Sequence, residues 1–252
     1  MKKKLHTYFM RIVFIILVML TWGLFIKPQL VHAQTPLDAP TPKPTLTTLW
    51  KYQCIDTMKD SRDNARAWIN NPDTDATIAA QMKTIKSLGA TCVAIDTPYD
   101  AEFLPYLSKW VAAARVENLH IWFRGNFSGW EGWFNYPKIT STQDYFTKLD
   151  TFITTNPQLF RDGDIFTAAP EAENGGPFSP VNFPQYPAYR QFLIDEYTTE
   201  QKAFGAIKKN MTLNWFSMNG DMANQMYDQT TVDQTGDLIT IDHYVRDPAD
   251  MA

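Results

Sequence analysis

The run Thr167–Gly176, TAAPEAENGG, follows the apolar pair Ile165–Phe166 and decides how the rest of the chain is read. It has the form of a short buried strand that ends in two carboxylates, Glu171 and Glu173. Three further strand-like runs end in similarly polar clusters: AIDTPYD at Ala94–Asp100, WFRGNFSGWEGW at Trp122–Trp133 and TIDHYVRD at Thr240–Asp247. Helical stretches separate them. Strands that alternate with helices, each strand ending in polar and aromatic residues, predict an α/β fold whose strand ends share one rim: the (β/α)8, or TIM, barrel.

Working outward from that run, the pattern gives six strands, at Leu49–Ile55, Thr91–Ile95, His120–Phe123, Asp164–Ala168, Met211–Trp215 and Leu238–Asp242. Helical periodicity places helices at Thr77–Leu88 (stopped by Gly89), Glu102–Val116, Thr142–Thr155 and Tyr189–Lys208, with a short one at Asp221–Asp228 capped by Asp221. Their aromatic stripes are assigned to packing. Six βα units are two short of a closed barrel, and an open six-stranded sheet leaves edges and part of its core in water. The expectation is a reading frame truncated after Ala252; a genuine six-stranded form, or closure by a second chain, are the alternatives.

Residues 1–33 carry Lys2, Lys3, Lys4 and Arg11 ahead of an apolar run, and end in Val31-His32-Ala33, a pattern suited to signal peptidase. They predict a secretory signal or, if uncleaved, an N-terminal membrane anchor. Either puts the body of the chain outside the cytoplasm. Residues 34–48, rich in Pro and Thr, form a linker, and the barrel domain spans 49–252. Five of the 23 Lys and Arg and none of the 27 acids lie in residues 1–33, so the remainder carries 18 basic against 27 acidic residues, a net of −9. That balance argues against nucleic acid as a partner and suits a neutral glycan. Nothing in the sequence calls for a cofactor or for more than a monomer. Because neighbouring barrel strands are staggered, Cys54 and Cys92, on strands one and two, are expected as free buried thiols more than as a disulfide. Their spacing does not resemble a zinc site.

Carboxylates and tryptophans on one rim suggest sugar chemistry. Glycoside hydrolysis uses two carboxyl groups on opposite sides of the bond, one as proton donor and one as nucleophile or base. Glu171 and Glu173, two apart, point the same way if strand geometry persists and cannot flank a bond; one is the acid/base and the other binds hydroxyls. After strand three, Trp130 and Trp133 stand among polar residues, including Asn126, and either stack on sugar faces or bury themselves to anchor the loop. Arg124 binds substrate or pairs with an acid such as Asp96. Asp56, Asp96 and Tyr99 end strands one and two, where the acids either brace loops or touch ligand. Asn214 and Trp215 on strand five are further candidate ligand contacts. Lys59, Arg62 and Asp63 read as a solvated or paired cluster. A metal site from Asp56, His120, Asp96 and His243 is disfavoured, since His120 starts its strand and faces the opposite rim.

This ordered set, over Leu49–Ala252, resembles the clan A glycoside hydrolases of the family five kind. The resemblance implies a retaining glycosidase acting on a poly- or oligosaccharide. It matches Glu171 to the acid/base that ends strand four. Pro170 stands where those enzymes carry an Asn that binds the sugar 2-hydroxyl, a role that passes to Asn174 if it is kept. His243 and Tyr244 match the strand-six pair that holds substrate and nucleophile. The nucleophile itself, a Glu ending strand seven, has no counterpart here. A non-catalytic glycan-binding barrel is the rival reading.

Overall fold

The computed structural model describes residues 52–178, 186–217, 220–235 and 237–242, all within the compact unit Leu46–Ala252. The N-terminal segment 1–33, the linker 34–48, and His243 and Tyr244 lie outside the described residues.

Six parallel strands form one sheet in chain order: β1 (Cys54–Asp56), β2 (Cys92–Ile95), β3 (His120–Phe123), β4 (Ile165–Phe166), β5 (Thr212–Ser217) and β6 (Leu238–Ile241). Helices α1 (Ala65–Trp68), α2 (Thr74–Ser87), α3 (Leu104–Val116), α4 (Thr142–Thr155), α5 (Tyr186–Ala206), α6 (Gly220–Met226) and α7 (Gln229–Thr235) connect them. Consecutive parallel strands joined by helices are the βα repeat of a partial TIM barrel. The expected elements are present, with shifted ends. β4 is only two residues long. Before it, the Asp164 N–H closes a turn on the Arg161 carbonyl at 3.0 Å, and the fully buried Asp164 side chain clamps the surroundings: it pairs with Arg115 and accepts the N–H groups of Ile121 (3.0 Å) and Arg161 (3.0 Å). α6 starts at Gly220, so Asp221 lies inside the helix and is not its cap.

Alternation along each strand separates two faces. Val93, Ile95, Ile121, Phe123, Phe166, Leu213 and Trp215 are buried against the helices. There Phe166 packs with Phe204 (5.0 Å between ring centres), Phe160 (5.9 Å) and Tyr99 (5.6 Å). Helix sequences match this layer: α2 buries Ile78, Met82 and Ile85 and is stopped by Gly89 at φ 89°, a left-handed position that suits glycine. α4 is capped by Ser141, whose side chain accepts the Asp144 N–H at 3.3 Å.

The other face, the barrel interior, mixes apolar residues with a hydrogen-bonded polar chain. Trp122 Nε1 and Asn214 Nδ2 both donate to Thr167 Oγ1 (2.8 Å each), and Thr240 Oγ1 donates to Asn214 Oδ1 (2.8 Å). This chain of bonds crosses β3, β4, β5 and β6. On the same face the expectation of free thiols is overturned. Cys54 and Cys92 are direct register partners on β1 and β2, with Cα atoms 4.2 Å apart, and form a disulfide. The β1–β2 pairing has no stagger at this position, so both side chains leave the same face of the sheet side by side.

Candidate active site

The loop after β4 does not continue as a strand. Glu171 adopts φ 47°, ψ 49°, a left-handed conformation uncommon for a residue with a side chain, and Ala172–Asn174 then forms a 3-10 turn. The Glu171 N–H donates to the Phe216 carbonyl at 2.9 Å, which fixes the turn against β5. This left-handed step sends the two glutamates different ways. Glu171 is half-buried and faces the interior rim. Glu173 is 1% exposed, and its charge acts on Tyr189 of α5 and on Tyr227, one residue past α6. Glu173 is therefore corrected from a hydroxyl-binding residue to a buried acid of the loop.

Around Glu171 the structure gathers three groups. Asn174 Nδ2 donates to Glu171 Oε2 at 2.8 Å. Asp242, one residue past β6, raises the Glu171 pKa by its side chain and its charge. The Arg124 guanidinium interacts favourably with both acids. Burial pushes the Glu171 pKa up to about 7, with further upward pressure from Asp242 and from Glu173, and a downward pull from Arg124. A carboxyl with this pKa can both hold and release a proton near neutrality.

Arg124 resolves the choice left open by its sequence: it pairs with Asp56 and, at 3.2 Å, with Asp96. Its guanidinium lies 4.6 Å from the Phe216 ring centre and 5.5 Å from that of Trp122. Asp96 is buried, and burial raises its pKa while Arg124 pulls it back. Asp56 also accepts the Met58 N–H at 2.6 Å, so both acids brace the rim. The cluster after β1 is paired as read, with Arg62–Asp63 at 3.0 Å and Lys59–Asp63 at 3.5 Å.

Several expected ligand contacts are closed off. Trp130 is 1% exposed; its ring packs on Phe192 (5.2 Å) and Tyr145 (4.7 Å), and Nε1 donates to the Ala172 carbonyl at 2.9 Å. It anchors the loop, the alternative its setting left open. A Cβ on Gly175 or Gly176 would collide with Trp130, which accounts for the Gly-Gly pair after Asn174. Tyr99 is buried and donates to the Thr167 carbonyl (2.9 Å) while accepting the Gly125 N–H (3.0 Å), tying the ends of β2, β3 and β4 together. Asn126 is fully buried, with Oδ1 accepting the Phe127 N–H at 2.7 Å. Asn214 is spent on the interior chain, and Trp215 faces the helices, stacked on Tyr227 at 5.0 Å. Trp133 stays half-buried, with the Arg62 guanidinium 4.5 Å over its ring.

Three groups were not singled out from sequence. Asp242 is two residues beyond Thr240 on the same strand face, and that alternation was the available signal. Glu196 and Glu200 on α5 are buried, with Tyr145 Oη donating to Glu196 at 3.2 Å and the Ala168 N–H bonded to Glu200. The i, i+4 steps from Phe192 through Glu196 to Glu200 place both acids on the apolar stripe. Among the described residues no group of three or more His, Cys, Asp or Glu side chains could hold a metal ion.

One solved structure similar to this chain is a GH5-4 broad specificity endoglucanase from Clostridium longisporum. The two are 15% identical with a TM-score of 0.43, over 69% of this chain and 53% of that one. This chain thus matches about half of that enzyme's length. No family model matches the chain, and no curated protein does.

Proposed function

We propose that the chain is a glycoside hydrolase domain acting on a poly- or oligosaccharide, with Glu171 as the acid/base. The observation that carries this reading is the Glu171 site itself: a half-buried carboxyl at the end of β4, held by Asn174, with its pKa pushed up to about 7. In its protonated form, Glu171 gives its proton to the leaving glycosidic oxygen as the bond breaks. It then takes a proton from the incoming water. In the retaining form of the reaction the nucleophile stands about 5–5.5 Å from the acid. We assign the nucleophile to none of the described residues. The polar chain of the interior and the Arg124–Asp96–Asp56 group keep the rim rigid beside the acid.

Export to the cell surface or medium belongs to the same proposal. Its support is the basic-apolar start of the chain and the Cys54–Cys92 disulfide, a bond that persists in oxidising compartments. The test is release of reducing ends from a panel of β-glucans, mannans and xylans by the full chain. Glu171→Gln is expected to lower kcat by about 10²–10⁴-fold with binding kept. Glycan binding without turnover by the unaltered protein would replace the reading with a binding barrel, which Pro170 in place of the clan's asparagine favours.

A further inference from the structure

Trp133 takes no part in the site above and lies off the core. Of the tryptophans the structure describes, Trp68, Trp110, Trp130 and Trp215 pack in or against the hydrophobic core, and Trp122 is bonded into the interior chain. Trp133 does neither: it is half-buried, and its ring meets the Arg62 guanidinium at 4.5 Å on one face. Its neighbours on the chain do pack. Phe134 lies on Phe103 (4.8 Å between ring centres), and Tyr136 Oη donates to Glu102 Oε2 at 3.0 Å. The backbone makes this split. Gly132 (φ 85°), Phe134 (φ 54°) and Asn135 (φ 60°) are left-handed, a rare run where two of the three carry side chains. Arg66 holds the turn, donating to the Phe134 carbonyl (2.8 Å) and forking onto both Glu102 oxygens (2.8 Å each). The Trp133 N–H is tied back to the Ser128 carbonyl at 2.8 Å. A strained, clamped turn thus carries a large apolar ring to the rim, and among the described residues no ring or cation covers its second face.

We propose that Trp133 is a sugar-stacking platform, a second glycan subsite remote from Glu171. The guanidinium fixes the tilt of the ring from one side. The opposite face is left for the C–H groups of a pyranose. The acidic balance of the chain beyond residue 33 favours a neutral sugar over an anionic one. One loop serves both places. At Trp130 it lies against the Glu171 turn, where the Gly176 N–H donates to the Trp130 carbonyl at 2.8 Å; at Trp133 it meets Arg62, on the segment after β1. β4 and β1 are three strand spacings apart in the sheet, about 14 Å. One sugar ring cannot touch both, so the ligand is a chain of several units lying across the ends of β2 and β3. The proposal rests on the reading of this rim as a glycan site, and adds that the site prefers oligosaccharides to disaccharides.

The test is calorimetric titration of the full chain with hexaoses and disaccharides of the β-glucan, mannan and xylan series, with steady-state kinetics on any that is cleaved. Trp133→Ala is expected to weaken binding of the recognised hexaose about tenfold and to leave disaccharide binding within about twofold. On a cleaved hexaose KM should rise by the same factor with kcat held, since the platform grips substrate and transition state alike. Trp133→Phe keeps a ring and should retain most of the affinity. The melting temperature should hardly move, because Trp133 lies off the core. Hexaose binding and KM unmoved in folded Trp133→Ala overturn the proposal, while continued turnover leaves the glycosidase reading standing. An equal loss for hexaose and disaccharide also overturns it, since that marks Trp133 as a loop anchor. A loss confined to the hexaose, with no turnover of any glycan, upholds the platform and removes the glycosidase reading alone. No binding of any of these glycans by the unaltered chain overturns both.

Discussion

Glu171 sits in a left-handed backbone conformation, a state that costs roughly 1–3 kcal/mol for a residue with a side chain. The Phe216 carbonyl and the Asn174 amide hold it there. Asn174→Ala removes the amide and is expected to lower kcat more than it raises KM, because it loosens an acid and touches no sugar in our reading; steady-state kinetics on a cleaved glycan check this. Tyr99 gives a prediction on stability. Tyr99→Phe strips the partner from a buried Gly125 N–H and a buried Thr167 carbonyl. The expected loss is about 1–3 kcal/mol in denaturant unfolding, with little change in fold. At this scale the sequence was only partly legible. Glu171 was singled out because polar residues at a strand end mark a rim, and Asn174 from the resemblance, as a sugar contact; the structure bonds Asn174 to Glu171. Tyr99, Asn126, Trp130 and Glu173 are buried, because the same polar surroundings also occur where loops bury their own side chains, the alternative left open for Trp130; the left-handed turn at Glu171 separates the two glutamates.

Among the elements, α5 carries the feature with the clearest pH signature. Glu196 is buried, and burial pushes its pKa up to about 8. A carboxyl whose folded pKa lies above its unfolded value favours the folded state most when protonated in both. That contribution is full below the unfolded value near 4.3 and is lost as pH rises toward about 8. Glu196→Gln should flatten this fall, so that the variant gains on the unaltered chain by more than about 1 kcal/mol between pH 5 and pH 8. Thermal melts across that range check it. The loops after β3 and β4 form a second unit, joined where Trp130 lies against Gly175 and Gly176. Gly175→Ala is expected to destabilise the chain and lower turnover together, since the displaced loop carries Glu171. Most helices and strands were legible from periodicity; the start of β4 was not, because Asp164 looks like a strand residue until its N–H is seen to close a turn on Arg161 and its side chain to hold Arg115 and Ile121.

For the whole molecule, the Cys54–Cys92 bond closes a loop with a sequence separation of 38, worth about 4 kcal/mol on the chain-entropy account. Reduction should lower the melting temperature, and Cys54→Ala with Cys92→Ala should reproduce the loss without reductant. The fold class was legible because six βα units need no detail to be recognised; the disulfide was not, because register between strands is a property of the assembled sheet. That same dependence gives the polar chain of the interior a further role. A slip of β5 by one residue would turn Asn214 into the aromatic layer and Trp215 into the barrel, breaking its bonds to Thr167 and Thr240 at once. A greasy interior would tolerate such a slip at small cost. The hydrogen-bonded chain from Trp122 to Thr240 therefore pins strand alignment, since a misregistered sheet would leave these polar groups without their partners.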